Sequence, residues 1–213
     1  MTTLVWNCRG LGNPRSVCAL KDLLRDEDPM LVFLIETKAS ISSMEKYKYR
    51  LGFQNGLIVP SDGKSGGLAL LWKQQADVSV KSYSNSHIDA VVVDPSTNKI
   101  WRATGFYGHP DASQRHKSWQ LLNTLHSRLN LPWVVFGDFN EITNLEEKSG
   151  WAERDANQMR AFCNSLVTCG LRDLGFIGQR FTFCNGRHGD HRTLIRLDRV
   201  VANDQWLELF QQP

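Results

Sequence analysis

Oxygen-bearing side chains recur in this sequence where apolar runs stop. In PWVVFGDFNEI (132–142), four apolar residues from Trp133 to Phe136 lead through a glycine to the pair Asp138 and Asn140. MLVFLIET ends on Glu36, TLVWNC delivers Asn7, KIWRATGFYGHP reaches Tyr107 before turning at 108–110, and LIRLDRVV sets Asp198 among apolar neighbours. A charge on a buried strand is costly unless it is paired or bound to a cation, so Glu36 and Asp138 are poor candidates for idle surface groups. Magnesium suits such a set, because it takes hard oxygen ligands, often one or two carboxylates, and fills its shell with water and substrate phosphate. In that setting Asn140 would donate to a phosphate or an attacking water, and Tyr107 would stabilise charge on a phosphate oxygen. Spacing alone leaves a blander alternative open, since strand ends often carry a lone Asp or Glu as a turn residue.

The elements that must position these groups read as alternating strands and helices. The runs 3–8, 30–36, 67–73, 78–84 and 88–94 are short and apolar or alternating, as buried strands are. DPSTN (94–98) reads as a hairpin turn into the strand that carries Tyr107. SVCALKDLLRDED predicts a helix over 16–28, with Ser16 as N-cap and Val17, Leu20, Leu23 and Leu24 on its apolar face. A long helix is expected within 111–130, stopped before Pro132. Another is expected over 155–169, with Asp155 as N-cap and Gly170 just past its end. RFTFCN and TLIRLDRVVAN predict two further strands around the polar loop GRHGDHR. No repeat, low-complexity tract or linker interrupts the chain, so residues 1–213 are expected to form a single α/β domain, with two sheets face to face and helices outside.

Composition constrains the partners loosely. Lys plus Arg number 25 against 22 Asp plus Glu, a net charge of +3 that permits nucleic-acid binding without demanding it. No apolar run approaches the roughly 20 residues that span a bilayer, and MTTLVWNCRG lacks the pattern of a secretory leader. The expectation is a nuclear or cytoplasmic protein that is not secreted and has no membrane partner. The five cysteines are odd in number and contain no Cys-x-x-Cys, which favours reduced thiols. Cys184, His188 and His191 lie close in sequence, but without a paired-cysteine knuckle they are a poor zinc site. Arg180, Arg187, Arg192, Arg196 and Arg199 crowd the last third. They read either as a surface that neutralises phosphates, with Arg192 the candidate contact, or as a solvated hairpin offset by Asp190 and Asp198. Trp151 is the one tryptophan in a polar loop, where loop packing is favoured over stacking on a base.

Taken in order, Asn7 in WNCRG, Glu36 in IETK, Tyr107 before GHP, Asp138 and Asn140 in GDFN, and Asp198 in RLDRV resemble the endonuclease/exonuclease/phosphatase superfamily. WNCRGLG, SGGLALLW, GFYGHP, GDFNEI, EKSGW, DLGFIGQRFTFCN and RLDRVVAN resemble, more narrowly, the endonuclease domain of plant-type non-LTR (LINE-type) retrotransposon polyproteins. The resemblance implies a DNase I-like two-sheet sandwich that hydrolyses phosphodiesters with Mg²⁺, or Mn²⁺ in its place, and acts on nucleic acid, with DNA favoured. It implies that Glu36 ligates the metal with Asn7 beside it, and that Asp138 positions or deprotonates the attacking water. Asn140 and Tyr107 would contact the scissile phosphate, and Asp198 would orient a catalytic histidine. The family's late Ser-Asp-His motif does not occur in the sequence, and His87, His109, His116, His126, His188 and His191 all lie in other contexts. The expectations are a fold lacking its last strand or strands, an impaired nuclease, and a sheet edge through which copies could associate. A non-catalytic protein of the same fold, and a phosphatase or RNA exonuclease of the superfamily, remain open alternatives.

Overall fold

The computed structural model describes residues 1–63, 65–150 and 153–210; Trp151 lies outside them. The chain divides into two compact units, Met1–Phe106 and Tyr107–Pro213.

In the first unit the strands β1 (Thr3–Asn7) and β2 (Leu31–Ile35) run parallel, joined through the helix α1 (Pro14–Glu27). Helix α2 (Ile41–Arg50) follows, then β3 (Asn55–Asp62) and β4 (Ser65–Trp72), giving a sheet in the order β1-β2-β4-β3. Every residue of β2 is fully buried, as its unbroken LVFLI sequence requires of a central strand. Helix α1 starts earlier than expected: Asn13, not Ser16, caps it by accepting from the Arg15 N–H at 3.0 Å, and Pro14 fits the first turn because its missing N–H has no partner to lose there. Leu20 is buried, with Val17 and Leu24 packed against the same core, whereas Leu23 faces solvent at 36% exposure. Helix α2 and β3, which the sequence reading left unassigned, add Met44 and Ile58 to that core; their mixed polar composition carries little periodic signal.

Three more strands of this unit, β5 (Asp77–Ser84), β6 (His87–Val93) and β7 (Ile100–Tyr107), form an antiparallel meander. Gly105 of β7 faces β2 so closely that a Cβ there would enter the Phe33 ring, which places the meander directly over the first sheet. Buried Asp89 on β6 is satisfied from β7: Arg102 Nε and Nη2 donate to it at 2.8 and 3.0 Å, and the Thr104 hydroxyl at 2.6 Å.

The second unit comprises α3 (Arg115–Arg128), β8 (Trp133–Asp138), β9 (Lys148–Ser149), α4 (Ala156–Thr168), β10 (Arg172–Asp173), β11 (Phe183–Cys184), β12 (Leu194–Ile195), β13 (Asp198–Ala202) and α5 (Asp204–Leu209). Strand β13 lies antiparallel between β8 and β10, while β11, β12 and β9 form a small sheet of their own. The expected helix over 111–130 opens instead with a 3-10 turn at 112–114, capped by Asp111, before α3 begins. Helix α4 is capped by Asp155, which accepts from the Asn157 N–H at 2.7 Å, and Gly170 follows its end at φ +62, as expected. Trp119 of α3 stacks on Phe162 of α4 at 4.5 Å. Of the two strands expected in the last third, the second is split at Arg196–Leu197 into β12 and β13, where Arg196 turns into buried ion pairs with Glu147 and Asp173.

The result is a mixed α/β fold of sheets flanked by helices. No helix of the described residues is long and apolar enough to cross a membrane.

Candidate active site

In the first unit the candidate residues gather in the turn after β2. Glu36 and Lys38 both hold left-handed backbone, at φ +54 and +49. Non-glycine residues resist that region, so it persists only where the surroundings over-determine it. Here they do: the Thr37 and Lys38 N–H groups donate to the carbonyls of Gly67 and Gly66, each at 3.1 Å. Gly66 and Gly67 themselves sit at φ +71 and +88, and a Cβ on Gly67 would collide with the buried Thr37 Oγ1. The doublet in SGGLALLW is thus the cradle of the Glu36 turn. Asn7, at the mouth of β1 in register with Ile35, donates from Nδ2 to Glu36 Oε1 at 3.3 Å, and its Oδ1 accepts from the Arg9 N–H at 3.2 Å. Lys38 Nζ stands 3.2 Å from Glu36 Oε2. Cys8 points the other way and donates its thiol to the Ile35 carbonyl. Burial pushes that thiol up to about 11, which removes it from consideration as a nucleophile.

In the second unit the turn after β8 collects the others. Asp138 is buried, its Oδ1 accepts from the Asn140 N–H at 2.9 Å, and Asn140 holds φ +56. Asn140 Nδ2 donates to the Gly108 carbonyl at 2.8 Å, and the Gly108 N–H donates to the Asp138 carbonyl at 2.7 Å. A Cβ on Gly108 would overlap the Phe139 carbonyl, so FYGHP needs its glycine to let the Tyr107 turn close on GDFN. Half-buried Tyr107 leads directly into this contact. Asp198 opens β13 directly opposite Asp138, and its N–H donates to Thr182 Oγ1 at 3.1 Å.

Among the described residues, six non-glycine residues have positive φ; Glu36, Lys38 and Asn140 belong to the two turns, and Arg9 follows Asn7, whose side chain accepts from its N–H. Backbone strain of this kind concentrates at functional sites.

Beneath the second turn lies an ion network that the sequence reading did not foresee. Glu147 accepts from Arg196 at 2.7 Å, from Arg199 at 2.8 Å and from the Thr143 N–H at 2.7 Å. Asp173 accepts from the same two arginines, at 2.8 and 2.7 Å. Burial pushes the Glu147 carboxyl upward, but the Arg199 guanidinium and the Thr143 N–H outweigh it and hold the group below the usual glutamate range. Glu141, fully buried, pairs with Arg115 at 2.8 Å and with Arg154 at 3.6 Å. Arg196 and Arg199 are therefore internal, and only Arg180, Arg187 and Arg192 of the basic cluster face solvent. The signal for the network was the arginine on either side of Leu197-Asp198 in an otherwise apolar run.

Glu36 and Asn7 supply oxygen donors of the kind a hard divalent ion takes, and Glu36 already holds one cation in the Lys38 ammonium, so the donor set fits magnesium. Among the described residues no group of three or more His, Cys, Asp and Glu is arranged to hold a metal, so most of the shell would be water and substrate.

The Endonuclease/Exonuclease/phosphatase family pattern matches residues 4–212. The chain belongs to that family. Its fold is similar to the endonuclease domain of TRAS1, a telomere-specific non-LTR retrotransposon, at 16% identity and TM-score 0.67, over 97% of this chain and 87% of that one. It is similar to the 3′ phosphatase NExo from Neisseria bound to product DNA hairpin, at 16% identity and TM-score 0.66, over 96% and 87% of the two chains. It is also similar to the Xenopus laevis APE2 catalytic domain, at 15% identity and TM-score 0.70, over 98% and 84%. None of the curated proteins matches the chain. The glycines of SGG and GHP let the two turns form, while the glycine of EKSG lets its own strand close on Arg192 and Thr193.

Proposed function

We propose that this endonuclease/exonuclease/phosphatase protein is a metal-dependent phosphodiester hydrolase of the retroelement endonuclease type, nicking DNA. The observation that carries the reading is the pair of over-determined turns, each presenting a carboxylate at a strand mouth. Glu36, with Asn7 beside it, would hold Mg²⁺ or Mn²⁺, which when bound supplies Lewis-acid stabilisation of phosphate charge. Asp138, fixed by the Asn140 N–H, is oriented to accept a proton from the attacking water. Asn140 spends one amide N–H on Gly108, which sets its plane; the second is assigned to a phosphate oxygen. The Tyr107 hydroxyl is assigned to the same phosphate, and Arg192 to a flanking one. Asp198, held by Thr182, is assigned as a positioning residue for the proton donor to the leaving oxygen.

The sequence contains no Ser-Asp-His, and general acid help is typically worth about a hundred- to ten-thousand-fold, so these residues alone are expected to turn over slowly. The same observation favours a second reading, a nucleic-acid-binding protein without turnover. Purified protein should be given supercoiled and abasic-site DNA with Mg²⁺ or EDTA, beside Asp138→Ala. Metal-dependent nicking that vanishes in the variant is the expected result. Nicking that survives the substitution contradicts the site assignment, and no nicking by folded protein selects the second reading. Faster release of a terminal phosphate than of nicked circles would move the substrate to a phosphatase or exonuclease class.

A further inference from the structure

The largest concentration of exposed apolar side chains lies outside both turns, in the loop Leu174-Gly175-Phe176-Ile177-Gly178 that follows β10. Leu174 is 38% exposed, Phe176 51%, and Ile177 105%, more than in a fully extended reference chain. A loop carrying such residues ordinarily folds them inward, and this one is prevented from doing so. The Leu174 N–H donates to the Val200 carbonyl at 3.0 Å, and the Gly175 N–H donates to Asp173 Oδ1 at 2.8 Å. The Arg196 guanidinium, itself locked by Glu147 and Asp173, lies over the Phe176 ring at 5.0 Å. Gly175 and Gly178 bracket the tip at φ +75 and +98. The ion network therefore anchors the base of the loop and the Phe176 ring, and leaves Ile177 at the tip in solvent.

Charge and size together identify what the tip would meet. Arg172, Arg180, Arg187 and Arg192 are exposed around it in sequence, and the Asp173 carboxylate is already taken by Arg196 and Arg199. Arg172 pairs with Asp204 at 3.0 Å and Arg180 with Glu146 at 3.6 Å, both in solvent, where such pairs contribute little and exchange readily for phosphates. Three apolar side chains are far too few for a stable protein interface, which buries about 800 Å² on each partner. An apolar point among arginines is instead what proteins press between base steps, partly unstacking them while the arginines grip the backbone.

We infer that the Leu174–Gly178 loop is a wedge that enters duplex DNA, with Ile177 leading and Phe176 backing it. This rests on the nuclease reading and adds to it: the preferred substrate would be a duplex that yields at one step, such as a mismatched, nicked or flexible pyrimidine–purine site.

The test uses the full chain in EDTA, a set of short duplexes with 2-aminopurine at successive positions, and Ile177→Ser and Arg187→Gln variants. Ile177 packs against nothing, so its replacement leaves the fold unchanged, and equal melting temperatures confirm that. Wild type should brighten 2-aminopurine at one position. Ile177→Ser should lose the brightening and bind on the order of tenfold more weakly at every salt concentration, with the salt slope unchanged. Arg187→Gln should keep the brightening and lower the slope by about one. Wild-type affinity and brightening in Ile177→Ser would overturn the wedge, including the case where the tip seats on a protein, while metal-dependent nicking by wild type would still stand. Failure of wild type to bind any duplex would overturn the wedge and the nuclease reading together.

Discussion

The turn after β2 and the turn after β8 solve one problem in two ways. Each brings a carboxylate out of a buried strand, and each is closed by a glycine whose Cβ would have blocked it, Gly67 for Glu36 and Gly108 for Asp138. They differ in which residue takes the left-handed backbone. In the first turn the carboxylate residue itself does so, which leaves Glu36 about one-fifth exposed, with a lysine ammonium against it. In the second the strain passes to Asn140, and Asp138 stays in the strand, buried and accepting from a backbone N–H. An exposed carboxylate facing a cation suits metal binding, whereas a buried one fixed by an N–H suits directed proton acceptance. Under the proposed function, the difference in backbone becomes a difference in chemical role.

The comparison is broken most severely from below the second turn. Glu147→Ala leaves Arg196 and Arg199 buried without their main partner, and urea unfolding should show a loss of about 3–5 kcal/mol. The same carboxylate sets an acid limit. Its folded pKa lies below its unfolded one, so its contribution is complete above the usual glutamate range and disappears as pH falls through the depressed value. A pH series of melting temperatures should fall steeply at that acid end, and the Glu147→Gln variant should flatten the fall. Next, Gly67→Ala combines left-handed strain with a collision on the Thr37 hydroxyl, and Gly108→Ala drives a Cβ into the Phe139 backbone carbonyl, which cannot swing aside, so each should cost about 2–4 kcal/mol in urea unfolding. Wild-type stability in either variant would contradict the part given to that glycine. Asn140→Ala loses one hydrogen bond and keeps the strained φ, for about 1–2 kcal/mol. The smallest effect sharpens the metal side: Lys38→Met should tighten Mn²⁺ binding severalfold by paramagnetic relaxation, and Glu36→Gln should abolish it.

Much of this was legible in the sequence where one residue type has one physical reason. LVFLI had to be a buried strand, the DPSTN turn and the Asp155 cap follow from local side-chain hydrogen bonds, and Glu36 and Asp138 stand at strand ends as read. What was not legible depends on partners distant in the chain. Ser16 looked like a cap because nothing local says that Asn13 and Pro14 start the helix sooner. Arg196 and Arg199 looked like phosphate contacts, because Glu147 and Asp173, which bury them, are 49 and 26 residues away respectively from one or the other arginine. The cradle at Gly66–Gly67 was visible only as a doublet, since its purpose lies in the backbone of Thr37 and Lys38.

The central proposal, that Glu36 and Asp138 serve one reaction, is tested most directly by a double-mutant comparison of metal-dependent nicking. Rates should be measured for wild type, Glu36→Gln, Asp138→Asn and the double variant, all checked for folding. Groups acting as one unit are strongly non-additive, so each single change should cost nearly the full rate and the double variant little more. Losses that multiply, or a single variant that nicks at the wild-type rate, would contradict the account.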